Sequence, residues 1–259
     1  MGSDDQGQGA GLLRDRLVVV TGAGRGIGRA VALGVAAAGA KVVVSDLRQD
    51  QAESVAREIR ANDGEAMACS LDVTDASACI DAAKRVDQEF GAADVIVNSA
   101  GIIIREPIDS PQAHENWRQV FDVNVNGTFN VVHAWLPALR KTRGTIINVA
   151  SAAAFVGMGS TLGYSPSKGA VRLFTQSLAH DLASDGIRVN AVAPGIIETE
   201  MSASTRDNPA RLSGLMTRTP MRRVGRPDEL VGPVIFLAST MASYVNGVIL
   251  PVDGGFLAG

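Results

Sequence analysis

The chain has 259 residues, 46% of them hydrophobic and 20% charged, with a formal net charge of −3. That length and apolar content suit one α/β domain with a full core, and so mild an acidic balance leaves no footprint for nucleic acid or an anionic membrane surface. Two cysteines without CxxC spacing (Cys69, Cys79) and three scattered histidines (His114, His133, His180) give neither a disulfide framework nor a metal site.

Met1–Gly11 is rich in Gly, Gln and Asp and reads as a disordered tail, without a basic-then-apolar leader pattern. No later apolar run is long enough to span a bilayer, so a cytoplasmic location is expected. A strand at Leu17–Thr21 runs into Gly22, Gly24, Gly26 and Gly28 and then a helix over Gly26–Ala38. Glycines let the backbone approach a pyrophosphate closely, and a helix start offers free N–H groups to the anion. Gly22, Gly24, Arg25, Gly26, Ile27 and Gly28 are therefore candidate cofactor contacts. Gly39 stops the helix, and a strand at Lys41–Ser45 ends beside Asp46. A carboxylate there accepts both hydrogen bonds of an adenosine ribose diol and repels a 2′-phosphate, whereas Arg25 suits that phosphate. The carboxylate acts on the phosphate directly, so NAD is expected over NADP.

A helix over Gln49–Ala61 stops at Gly64, and a strand at Glu65–Ser70 follows. Thr74-Asp75 opens a helix over Asp75–Phe90 with an N-cap and an acidic first turn, and Gly91 closes it. The fourth strand, Asp94–Asn98, precedes a long helical pattern at Ala113–Leu139; the fifth, Gly144–Val149, leads to Ser151. A helix over Gly163–Ser184, stopped by Gly186, carries Tyr164-Ser165-Pro166-Ser167-Lys168 in its first turns. The strand Ile187–Ala193, an irregular stretch from Gly195 to Arg226, a helix over Pro227–Ala238 and a strand at Val248–Pro251 complete the chain. The alternation predicts a seven-stranded parallel sheet, doubly wound and Rossmann-like, with helices on both faces of a single domain, 12–259.

A hydride moving to or from a carbon that bears oxygen must be matched by a proton on that oxygen. A tyrosine transfers it only if its pKa falls from about 10 toward neutrality. Lys168 lies one helical turn from Tyr164, so its ammonium can stabilise the phenolate. Ser151, thirteen residues before Tyr164, is placed to hold the substrate oxygen against the tyrosine hydroxyl.

The glycine spacing, Ser151 and Tyr-x-x-x-Lys together resemble the short-chain dehydrogenase/reductase family, from about Leu17 to the C-terminus. The resemblance implies that Asn124 holds a water on the proton path to Lys168, and that Asp72 and Val73 meet the adenine. It implies cofactor contacts at Ala100 and Gly101, and at Asn98 either a cofactor contact or a brace for the sheet, in a motif where Ser99 replaces an asparagine. It also implies that Pro194, Gly195, Ile197 and Thr199 hold the carboxamide, with Tyr164 and Lys168 touching the nicotinamide ribose. The activity implied is hydride transfer between a nicotinamide cofactor and a secondary alcohol or ketone, in a homotetramer. The alternative is a 3-oxoacyl-[acyl-carrier-protein] reductase using NADPH. Asp185 would repel an acidic carrier, although Lys141 and Arg143 restore some basic charge nearby. A non-enzymatic NAD-binding protein would be marked by an altered Tyr164 or Lys168, and both are intact.

Candidate substrate walls are Ile102–Ile104, Ala152–Phe155, Met158, Met201, Leu212, Leu215, Met216 and Met221, which suit a hydrophobic or medium-sized hydroxy or keto compound. Arg206, Arg211 and Arg218 are candidates to meet an anionic group. The stretch 196–223 is expected to act as a lid that orders over bound cofactor and substrate.

Overall fold

The computed structural model describes residues 11–259, so the expected tail lies outside the described residues except for Gly11. Seven strands, β1 (Leu17–Thr21), β2 (Lys41–Asp46), β3 (Ala66–Ser70), β4 (Val95–Asn98), β5 (Thr145–Val149), β6 (Arg188–Pro194) and β7 (Ile249–Val252), form one sheet. Their order is β3-β2-β1-β4-β5-β6-β7, and every pair is parallel. The helices are α1 (Gly26–Ala37), α2 (Gln49–Ala61), α3 (Ala76–Glu89), α4 (Ala113–Phe121), α5 (Gly127–Thr142), α6 (Tyr164–Asp181), α7 (Ala203–Arg206), α8 (Pro209–Arg218) and α9 (Val231–Ala238).

A parallel sheet needs crossovers, which cover both faces and make both apolar. β1 shows the consequence. Val18 and Val20 enter the core shared with α1, α2 and α9, while Val19 enters the core shared with α3, α5 and α6. The chain winds outward from β1 to β3 and then returns to place β4 beside β1. The crevice at that reversal, beyond the carboxyl ends of the strands, is where such sheets bind ligands. The loops after β1, β3, β4, β5 and β6 all open there.

The structure revises several local expectations. The long helix is two helices separated by a π-helical stretch, Asp122–Asn126, and it runs on to Thr142. Asp75 is itself the N-cap of α3, accepting from the Ala78 N–H, so the helix has no acidic first turn. After α2 the left-handed position falls on Asp63 rather than Gly64, whose N–H returns to Ile59 O. Gly39, Gly91 and Gly186 do take positive φ, which makes each a stop that a side chain would strain.

One buried hydroxyl joins the two strands that flank the crevice. Thr21 Oγ1 accepts from the N–H groups of Ser99 and Ala100, at 3.1 and 3.2 Å. Thr21→Val keeps the shape and strands two donors, so it should cost about 1–3 kcal/mol. Denaturant unfolding checks this; a midpoint equal to wild type would contradict it.

Candidate active site

The crevice is a cleft of about 940 Å³. Gly22, Arg25, Gly26, Ile27 and Gly28 line one end of it, with Asp46, Asp72 and Val73. A Cβ on Gly22 would come 2.8 Å from Ala100 Cα, and one on Gly28 would come 2.1 Å from Gly22 O. The turn therefore closes onto backbone, and only glycine allows it. Gly24 differs from expectation: it does not line the cleft, and its N–H donates to Asp46 Oδ2 at 2.9 Å. The other carboxylate oxygen accepts the Arg48 N–H, which fixes Asp46 at the cleft. Arg25 is ion-paired with Glu200.

Ala100 and Gly101 lie on the cleft floor, but Asn98 does not. Asn98 Nδ2 donates to Asn148 Oδ1 at 2.9 Å, and Asn148 Nδ2 donates to Thr175 Oγ1 on α6 at 2.9 Å. This polar chain braces the sheet against the helix that carries Tyr164; its central member, Asn148, gave no sequence signal beyond lying in a strand. Pro194, Gly195, Ile197 and Thr199 close the far wall.

Ser151, Tyr164 and Lys168 meet at the centre of the cleft. Ser151 Oγ accepts from Ala153 N–H at 3.1 Å, and its side chain lines the cleft together with Tyr164. Lys168 is buried, donates to Val149 O at 2.7 Å, and sits 5.8 Å from the Tyr164 ring centroid. Burial in that dry wall lowers its pKa to about 8. The Tyr164 phenol is shifted upward by burial, offset in part by Ser151 and the Arg105 charge.

Asn124 is fully buried in the π stretch and does not itself line the cleft. Its Oδ1 accepts from Ile102 N–H at 2.8 Å, and its Nδ2 donates to Ile102 O and Ser167 Oγ, each at 3.0 Å. A Cβ on Gly101 would lie 3.2 Å from Asn124 Oδ1 and 3.5 Å from Lys168 Nζ, so all three converge on one point.

Comparison with known proteins decides the family. A family profile described as enoyl-(acyl carrier protein) reductase matches residues 22–257. Cyclopentanol dehydrogenase of a Comamonas species is 37% identical over 96% of this chain and 99% of that protein. A Thermotoga maritima 3-oxoacyl-[acyl-carrier-protein] reductase is 37% identical over 95% and 99%. A gluconate 5-dehydrogenase from Burkholderia cenocepacia, solved with NADP and tartrate, superposes with a TM-score of 0.91 at 37% identity, covering 95% of this chain and 97% of that one. The chain belongs to the short-chain dehydrogenase/reductase family. It is an NAD(P)-dependent oxidoreductase, and the glycine turn fits a dinucleotide because no side chain could occupy its inner surface.

Around the reacting centre this dehydrogenase keeps part of the wall expected. Ile102, Ile103, Ala152, Met158, Met201 and Leu215 line the cleft. Ile104, Ala153–Phe155, Leu212, Met216 and Met221 do not; Ala153–Phe155 instead border a separate, shallower depression that Met158 also touches. The irregular stretch contains α7 and α8, and α8 buries none of its residues. Arg206 is held by Ser202 Oγ and Thr199 O, and the Arg218 guanidinium lies over the Phe256 ring. Only Arg211 of the three lines the cleft. Arg105 and Phe256 also line it, and neither stands out in sequence, Arg105 because it falls in a stretch without periodicity. No helix among the described residues is long and apolar enough to cross a membrane.

The Lys168 environment has a pH signature. The amine is buried with a pKa of about 8, against 10.5 in an unfolded chain. The unfolded state therefore binds more protons between those values, and stability rises with pH across that window. The gain should approach about 3 kcal/mol at most and be missing in Lys168→Met. Chemical unfolding of the two proteins from pH 7.5 to 10.5 measures it; parallel curves would contradict the assignment.

Proposed function

We propose that the enzyme interconverts a secondary alcohol and its ketone, with Tyr164 as the proton-transfer group, Ser151 holding the substrate oxygen and NAD as the favoured cofactor. The observation that carries this reading is that Ser151, Tyr164 and Lys168 line one cleft together with the glycine turn. When bound, the dinucleotide accepts or donates the hydride. Gly22, Gly26 and Gly28 would take its pyrophosphate, Asp46 its adenosine ribose, Asp72 and Val73 its adenine. Ala100, Gly101, Lys168, Pro194–Ile197 and Thr199 would hold the nicotinamide half.

A phenol shifted upward by burial is protonated at neutral pH, which readies Tyr164 to donate to a carbonyl. In the oxidative direction the positive charge of the oxidised nicotinamide and the Lys168 ammonium draw the phenol down. Asn124 ties α6 to the loop after β4 and so fixes the distance between Lys168 and the cofactor floor.

A small-molecule substrate is favoured over a carrier-bound one. Asp185 pairs with Arg140 and Lys141 pairs with Asp87, so of the basic groups beside α5 Arg143 alone is left without an ion pair among the described residues. Exposed Phe129 on α5 and Leu173 on α6 support assembly into a homotetramer through these two helices.

Tyr164→Phe should remove turnover and leave cofactor affinity near wild type, since one proton donor is lost and no contact surface. A panel of secondary alcohols and ketones with both cofactors, plus a cofactor titration, is the check. Activity above a few per cent of wild type would overturn the role of Tyr164.

NAD is favoured because the Asp46 carboxylate is fixed by two backbone N–H groups and cannot swing away from a 2′-phosphate, while Arg25 is engaged by Glu200. Asp46→Ser should relieve repulsion of about 1–3 kcal/mol and raise NADP use roughly ten- to a hundred-fold. Comparing kcat/KM for both cofactors tests it; a wild-type enzyme already faster with NADP would reverse the preference.

A further inference from the structure

Besides Lys168, two cations of the cleft are answered by no carboxylate among the described residues. Arg105 and Arg211 both line it, and among the described residues neither forms an ion pair. Arg105 follows β4 on the substrate side of Gly101, and its Nη2 donates to Thr205 Oγ1 on α7 at 2.7 Å. Its Nε is buried with no acceptor. A buried guanidinium donor left unmet is costly, and a second guanidinium nearby adds like-charge repulsion; that repulsion and burial both lower the Arg105 pKa. Arg105 lines the same cleft as Ser151, Tyr164 and Lys168. An anion bound between the two arginines would remove both penalties.

We propose that Arg105 and Arg211 form an anion site that receives the carboxylate of a hydroxy- or keto-acid substrate. Arg105 is the fixed half, on the loop after β4. Arg211 is the mobile half, on α8, which buries no residue of its own. Repulsion between them holds the lid off the cleft, and the carboxylate draws it down. The reaction stays balanced as before: the carbinol hydrogen leaves as hydride to the dinucleotide, and the hydroxyl proton passes to the Tyr164 phenolate. The carboxylate is anchored and unchanged. A carrier-arm phosphate is disfavoured as the occupant, because the length of a pantetheine arm separates it from the reacting carbonyl, whereas Arg105 lines the same cleft as Tyr164.

The inference rests on the oxidoreductase reading but is tested without turnover. Titration calorimetry on the NAD-bound Tyr164→Phe protein compares D-gluconate with D-glucitol and 3-hydroxybutyrate with 2-butanol. At least one acid should bind more tightly than its neutral counterpart by about tenfold or more. Adding Arg105→Gln should erase that ratio, Arg105→Lys should restore part of it, and Arg211→Gln should reduce it. Amides of 203–218 should gain hydrogen-exchange protection with the acid and not with the neutral compound. No acid preference in either pair overturns the proposal. So does an Arg105→Gln loss that falls equally on acid and neutral ligand, which would make Arg105 a strut for α7. A ratio altered only for 4′-phosphopantetheine against pantetheine assigns the arginines to a carrier arm and also overturns it. Failure of wild-type enzyme to turn over any alcohol or ketone would instead count against the oxidoreductase chemistry.

Discussion

Backbone groups at the carboxyl edge of a parallel sheet run out of strand partners, and a buried group left unpaired is expensive. In this enzyme side chains meet that need, and several of them also serve the site. Thr21 holds the amides after β4, and Asn124 answers both the N–H and the C=O of Ile102. Lys168 answers the last carbonyl of β5, and Asp46 answers the amide of Gly24. The loose ends of the sheet and the chemistry of the cleft are therefore one problem solved by one set of residues. Replacing any of them leaves a backbone group of the cleft without its partner.

Much of this was legible in sequence because it depends on short-range rules. Buried strands are apolar β-branched runs, and each of the seven was placed to within one residue at either end. The glycine turn and Tyr164–Lys168 are local patterns, and Ser151 has a fixed distance from them. What escaped depends on tertiary context. Gly24 looked like a phosphate contact, but its amide is taken by Asp46, a residue from another strand. Asn98 was open to two roles in sequence, and its bond to Asn148 supplies the brace. The apolar spacing of Leu212, Leu215 and Met216 marks a helix, yet only Leu215 lines the cleft, since periodicity does not say which way a short lid helix turns. Arg105 lies between regular elements and has no periodic signal at all.

The electrostatics of the pair Tyr164 and Lys168 also had to come from the fold. Spacing places an ammonium one turn from a phenol and suggests that the phenol is acidified. Burial acts on both groups at once and disfavours the charged form of each, so Tyr164 is shifted upward and Lys168 downward. The protein by itself holds a neutral phenol, and in the proposed oxidation the Lys168 ammonium and the charge of the oxidised nicotinamide act on it together.

The π-helical stretch at Asp122–Asn126 has a consequence for the shape of the long helical rod. A π turn accommodates one residue more than an α turn, and one residue corresponds to a rotation of about 100° about the helix axis. α4 and α5 are thus out of phase with one another. α5 turns Trp135 and Leu139 into the core, while on α4 the rings of Trp117 and Phe121 stack with centroids 4.7 Å apart. Read as a register, the rod is a single helix with one residue inserted. Removing that residue would leave both halves helical and swing one of them off its proper face. Length at this point of the chain is therefore constrained as tightly as identity.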